Sequence, residues 1–212
     1  MRALGADVIE HGDDFQEARE RSVELAAELG YEPVPPFHRD LVLGVATYAR
    51  ELFDATGPLD TVYVPVGMGS GINALIGVRD LFGLSTQIVG VVSSGARSSQ
   101  LSFERGEVVT TASADTFVDG VATRSPDPQS IAGMLDGAAR IIDVTDDATA
   151  EAMRTIYRTT HNVAESAGAI ALAGLLSETV DERGARSAFV LCGGNVDTAQ
   201  FCAVLAGDTP TT

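Results

Sequence analysis

Val64-Pro65-Val66-Gly67-Met68-Gly69-Ser70-Gly71-Ile72-Asn73 is the stretch from which the rest of the chain can be read. Before the glycines, Thr61 to Val66 is a β-branched and aromatic run of the kind a buried strand carries. After them, Ala74, Leu75, Val78 and Leu81 recur at helical spacing. A strand, a glycine turn and a helix start therefore coincide. Glycine lets the backbone approach an anion closely, the unpaired N–H groups of a first helical turn point at it, and the helix dipole favours its charge. The stretch reads as a phosphate cradle. The alternative is a tight strand-to-helix turn that binds nothing.

Toward the N-terminus, the pattern Leu41, Val42, Val45, Tyr48, Ala49, Leu52, Phe53 predicts an amphipathic helix ending at Gly57-Pro58. Before it, Asp7 to Glu10 reads as a short strand, Asp13 or Asp14 caps a helix running to Leu29 and ended by Gly30, and Glu32 to Val34 reads as a second strand stopped by Pro35 and Pro36. Toward the C-terminus, Gln87 to Val92 predicts an apolar strand, followed by an irregular loop from Ser93 to Ser99. Gly106 to Pro128 reads as loop with short strands. Helices are expected at about Gln129 to Ala138, Asp146 to Thr160 and Ala167 to Glu178, with strands at Arg140 to Val144 and, buried, at Arg186 to Leu191. The last strand runs into Cys192-Gly193-Gly194-Asn195, a second glycine turn, and a short helix begins near Asp197. Strands alternating with helices predict an α/β fold with a mainly parallel sheet and ligands at the carboxyl ends of its strands. Both glycine turns lie at such ends.

The 212 residues carry a formal charge of −16, and all 14 basic residues are arginine. This acidity argues against nucleic acid and anionic membrane surfaces as partners and leaves small polar ligands. Cys192 and Cys202 form no metal-binding spacing, and with three histidines no zinc pattern emerges. The cysteines fit a reducing cytoplasm. No apolar stretch approaches the roughly 20 residues of a membrane-spanning helix, and Met1 to Gly5 lacks an apolar signal core. The unit ending near Pro35 is too small to bury its own faces, so it reads as the tail of a domain that begins elsewhere.

Spacing separates the phosphate ligands. A nucleoside-triphosphate loop needs a lysine after its last glycine, and the chain has none. A dinucleotide fold prefers GxGxxG with an acidic residue roughly 20 positions on; the spacing here is GxGxG and the next strand ends Val91-Val92-Ser93. A phosphate monoester needs only the cradle and a second site for its ring.

In order and spacing, Val64 to Gly71, Phe117-Val118-Asp119-Gly120-Val121-Ala122, Ala164-Glu165-Ser166-Ala167-Gly168-Ala169 and Leu191-Cys192-Gly193-Gly194-Asn195-Val196-Asp197 resemble the pyridoxal-phosphate-dependent serine/threonine dehydratases of the tryptophan-synthase-β-like group. Met1 to Ile9 and Pro35 to Leu41 also look like that family's middle region. The resemblance implies a three-layer fold, a mainly parallel sheet with helices on both faces, truncated at the N-terminus. Residues 1–37 would be the remnant of the smaller domain and 38–212 the larger cofactor domain. It further implies that Gly67, Met68, Gly69, Ser70 and Gly71 surround the phosphate of pyridoxal phosphate and that Cys192, where the family usually has serine or threonine, faces the pyridine nitrogen. Glu165 matches the glutamate of the family's Glu-Pro-Ser-Gly-Ala motif, although Ser166 and Ala167 replace its proline and serine; the alternative is a helix-start carboxylate favoured by the dipole. Asn195 and Asp197 read better as turn and N-cap residues than as ligands.

The family's chemistry depends on a Schiff-base lysine in a Ser-x-Lys-x-Arg-Gly-like segment, which this chain lacks together with any lysine. Where some members bind a divalent metal through a Glu and an Asp, the matching positions are Val92 and Ser98, so no metal is expected there. The expectation is a fragment or split form of a dehydratase that converts L-threonine or L-serine to a 2-oxo acid and ammonia, inactive as this chain alone. The alternatives are a non-catalytic cofactor-binding or regulatory subunit paired with a lysine-bearing chain, and a related hydroxy-amino-acid lyase. The resemblance implies a homodimer; a partner chain supplying the missing segment is the other arrangement.

Overall fold

In the computed structural model, which describes residues 1–211, the chain divides into two compact units, Met1–Pro36 and the remainder from Phe37 on. The first unit holds a 3-10 turn, Arg2–Leu4, and helix α1, Phe15–Leu29. Asp14 caps α1 by accepting the Glu17 N–H at 2.9 Å, and Gly30 closes it at φ 69°, donating its own N–H to Ala26. Asp7 to Glu10 and Glu32 to Val34, expected as strands, are irregular. An extended segment becomes a strand only when a neighbour supplies ladder partners, and no ladder forms within this unit.

The second unit is built on a fully parallel sheet of β1, Thr61–Pro65, β2, Gln87–Ser93, β3, Arg140–Val144, and β4, Ser187–Phe189, in the order β3-β2-β1-β4. Val62 stands opposite Ile88 on one side and Ala188 on the other. Parallel neighbours need crossovers, and helices supply them. Helix α2, Arg39–Thr56, precedes the sheet; α3, Ser70–Leu81, joins β1 to β2; α4, Ser98–Arg105, and α5, Pro128–Gly137, lead to β3. Then α6, Asp146–Thr160, α7, Ser166–Ser177, and the short α8, Val180–Arg183, lead to β4, and α9, Thr198–Ala206, follows it.

The strands' period of two separates the core into two layers. Tyr63, Val89 and Val91 pack with Met153, Ile156 and Ile170 of α6 and α7, whereas Val62, Val64 and Ile88 pack with Phe53, Leu75 and Met134 of α2, α3 and α5. Helices thus cover both faces of the sheet, as the alternation of elements predicts. Helix α7 is buried from Ser166 through Leu175, which suits a helix apolar on every side. Gly174 permits its close approach, since a Cβ there would lie 2.6 Å from Val91 Cγ2.

Three expectations need correction. The C-terminal strand covers only Ser187–Phe189 and is half-buried rather than buried, because it is an edge strand paired with β1 alone. Helix α4 occupies part of the serine-rich segment read as irregular; its apolar signal is weak because Ser98, Ser99, Gln100 and Ser102 are themselves its buried residues. Gly106 to Pro128 contains no strand; it holds a 3-10 turn at Asp119–Val121 and ends on the first residue of α5.

Where β2 and β3 begin, a polar cluster ties the sheet to the end of α7. Tyr63, fully buried, donates its hydroxyl to Glu178, which also accepts Arg140 Nε at 2.6 Å, while Arg140 Nη1 reaches Gln87 at 2.7 Å. Burial opposes ionisation of Glu178, but the hydrogen bonds from Arg140 and Tyr63 outweigh it and hold the carboxyl below its ordinary range. A folded pKa below the unfolded one contributes stability that is whole above about pH 4.3 and is lost as pH falls through the folded value. Glu178→Gln is therefore expected to cost about 2 kcal/mol near neutrality. The gap from wild type, measured by urea unfolding, narrows as pH falls below about 4.3.

Candidate functional site

After β1 the chain turns through Gly67, Met68 and Gly69 into α3 on one face, while the neighbouring β4 is reached through α7 on the other. The crevice between β1 and β4 is therefore a switch point, the place where open parallel sheets bind ligands. A cleft of about 490 Å³ lies there, within the size range of small-molecule sites. Gly67, Met68, Gly69, Ser70, Gly71 and Cys192 all line it.

Gly69 is the N-cap of α3, at φ 91° and ψ 12°, and no side chain caps the helix. The first in-helix bond runs from the Asn73 N–H to the Gly69 carbonyl at 3.2 Å, so the N–H groups of Gly69, Ser70, Gly71 and Ile72 have no acceptor within the helix. Although the chain is strongly acidic, no Asp or Glu is among the residues that line this cleft. Uncapped donors, a helix dipole and no competing carboxylate suit a phosphate group.

Glycine is required here for close packing as well as for φ. A Cβ on Gly67 would lie 2.4 Å from the Gly120 carbonyl oxygen, one on Gly120 2.6 Å from Ala167 Cβ, and one on Gly168 2.3 Å from the Gly193 carbonyl oxygen. Four stretches far apart in sequence, around Gly67, Gly120, Gly168 and Gly193, thus meet backbone against backbone.

Cys192 opens onto the cleft. Its thiol is pushed up to about 11, chiefly by the surrounding protein and further by the Glu165 carboxylate. It stays neutral across the physiological range. Tyr48 of α2 lines the opposite wall and donates its hydroxyl to the Gly71 carbonyl at 3.0 Å. Burial, then Cys192, moves its phenol upward. The sequence reading treated Tyr48 only as an apolar helix position; the available signal was a tyrosine on a buried stripe, whose hydroxyl needs a partner.

Glu165 does not line this cleft. It lines a second cavity of about 310 Å³ that shares Gly120 and Ala167 with the first. Its carboxylate accepts the Asn195 N–H at 3.1 Å, and its own N–H donates to Gly193 at 3.1 Å. It therefore braces the turn that carries Cys192. Asn195 lies in that turn, and Asp197 is the N-cap of α9. Val92 and Ser98 are both buried, the Ser98 hydroxyl donating to Thr123 at 2.5 Å. Among the described residues, no cluster of His, Cys, Asp and Glu is placed to hold a metal, and no helix is long and apolar enough to cross a membrane.

Comparison with known proteins places the chain in a family. The family described as pyridoxal-phosphate dependent enzyme matches residues 1–193. The chain is 33% identical over 202 residues to the biosynthetic L-threonine dehydratase IlvA of Salmonella typhimurium, covering 93% of this chain and 39% of the relative. It is 27% identical over 210 residues to the L-threo-3-hydroxyaspartate ammonia-lyase of Saccharomyces cerevisiae, covering 98% and 64%. The processed form of threonine deaminase isoform 2 from Solanum lycopersicum superposes with a TM-score of 0.87 at 29% identity, covering 97% of this chain and 58% of that one. The chain thus spans about two fifths of the length of the bacterial dehydratase it matches. With the family matched along nine-tenths of the chain, this chain belongs to the pyridoxal-phosphate-dependent enzymes.

Proposed function

We propose that this chain is the cofactor-holding part of a pyridoxal-phosphate-dependent ammonia-lyase for L-threonine, L-serine or a related hydroxy amino acid, and that these residues alone do not turn over. The observation that carries the reading is a cleft onto which the uncapped start of α3 opens, lined by no Asp or Glu, in a chain without lysine. The substrate class is supported by the threonine dehydratase and hydroxyaspartate ammonia-lyase among its relatives.

When bound, pyridoxal phosphate supplies an electron sink for charge developing at the substrate α-carbon. The chain's own residues do the holding. The N–H groups at the start of α3 would hold the phosphate, and the close Gly67–Gly120 contact keeps the preceding loop free of side chains. Cys192 is assigned to the pyridine nitrogen: a thiol that keeps its proton up to about pH 11 is a neutral partner and leaves that nitrogen uncharged. Such a ring is a weaker sink, which favours loss of a β-hydroxyl over transamination. The base at the α-carbon comes from a lysine-bearing segment of the same polypeptide or of a partner chain. The lack of lysine equally favours a second reading, a cofactor-binding subunit that regulates such a partner.

The test is equilibrium dialysis of the purified chain with pyridoxal phosphate, followed by borohydride treatment and peptide mass spectrometry. Saturable binding that dialyses away, with no pyridoxyl group fixed to a cleft residue, is expected. Absence of saturable binding, or an adduct fixed within the cleft, would overturn the reading.

A further inference from the structure

The carbonyl of Gly69 is bound twice by one residue. Asn73 donates its backbone N–H to it at 3.2 Å and its side-chain Nδ2 at 2.8 Å. The same Nδ2 faces the Ser130 carbonyl and the Ser130 hydroxyl, both at 3.2 Å. Ser130 is fully buried in the first turn of α5, and its Oγ lies where a side chain on Gly69 would have to go, 2.0 Å from the position of a Cβ. On the far side, a Cβ at Gly133 of α5 would lie 1.9 Å from Asn73 Oδ1, so α5 carries no side chain where the Asn73 amide sits. Gly69, Asn73, Ser130 and Gly133 interlock across two helices.

We infer that Asn73 is a positioning residue: its amide locks the peptide between Gly69 and Ser70 against α5 and so aims the N–H groups that follow, from Ser70 on, toward the cleft. A glycine at φ 91° has wide conformational freedom, and a loop left free would have to be ordered by each ligand that binds. Fixing the carbonyl on one side of the peptide fixes the direction of the N–H groups that follow, which is preorganisation of the donors. Asn73 touches no part of the cleft itself and acts only through the loop. This inference rests on the phosphate-cradle reading above.

The test compares two probes without an aldehyde, pyridoxine 5′-phosphate and pyridoxine, titrated into the full chain by calorimetry. The ratio of their dissociation constants isolates the phosphate contribution. Asn73→Ala removes the donor, Asn73→Asp keeps the shape without it, and Gly133→Ala displaces the amide from α5 without altering the loop sequence. All three are expected to lower the preference for the phosphate ester about tenfold while leaving pyridoxine binding unchanged. Preference retained in the variants overturns the clamp and leaves the cradle standing. Equal losses for both probes, together with a lowered Tm, overturn it in favour of helix packing alone. A wild-type chain that shows no preference for the phosphate ester overturns the cradle and the clamp together.

Discussion

Incubated with pyridoxal phosphate and L-threonine, the purified chain is expected to form no 2-oxo acid beyond what the free cofactor produces in buffer. The family's reaction needs a group that takes a proton from the substrate α-carbon, and a well-placed general base contributes typically 10² to 10⁴ in rate. Nothing lining the cleft can serve. Cys192 keeps its proton up to about pH 11, and the Tyr48 phenol is moved upward from its ordinary value and already spends its proton on Gly71. Glu165 lines the neighbouring cavity, where it accepts the Asn195 N–H. The chain has no lysine, its 14 arginines keep their protons in proteins, and none of its three histidines, His11, His38 and His161, lines the cleft. On the proposed reading, this cleft would take the cofactor and the base would come from elsewhere. A coupled dehydrogenase assay for the oxo acid checks this; turnover proportional to chain concentration would contradict it.

Gly69→Asp is expected to abolish binding of phosphate-bearing ligands. The position lies at φ 91°, where a side chain costs roughly 1–2 kcal/mol of backbone strain. Any Cβ there would also meet Ser130 Oγ at 2.0 Å, and Ser130 is fully buried, so the loop rather than α5 must yield. The new carboxylate then places a negative charge at the end of α3 that favours an anion from solution, and competes with it. Gly83 provides the control: at φ 64° it bears comparable strain, but a Cβ there meets nothing within 4 Å. Gly83→Ala should lose about 1 kcal/mol of stability with binding intact, whereas Gly69→Asp should lose binding under conditions where circular dichroism shows it folded. Equal effects of the two substitutions would assign the loss to strain alone.

Much of this was legible in the chain because its punctuation is local. The strand before Gly67, the helix after the glycines, and the Asp14 and Gly30 caps all follow from residues adjacent in sequence. What escaped depends on partners far away. Asp7 to Glu10 has a strand-like composition, yet pairing decides a strand, and the first unit supplies no ladder. Helix α4 buries serines and a glutamine through hydrogen bonds such as Ser98 to Thr123, which hydrophobic periodicity cannot register. Tyr48, Ser130 and Asn73 gain their roles from contacts across 23 or 57 positions, so only the folded chain brings them to the loop. Glu165 shows the converse. Its motif was legible, whereas the bond from its carboxylate to the second glycine turn, and its place in the cavity beside the α3 cleft, depend on the fold.

The central claim is that the start of α3 recognises phosphate. Its most direct test is amide NMR of the ¹⁵N-labelled chain, titrated with pyridoxine 5′-phosphate and, separately, with pyridoxine. Saturable shifts largest at the amides of Gly69, Ser70, Gly71 and Ile72, seen with the phosphate ester and absent with the alcohol, are the predicted result. The same shifts with both ligands, or none at these amides, would contradict it.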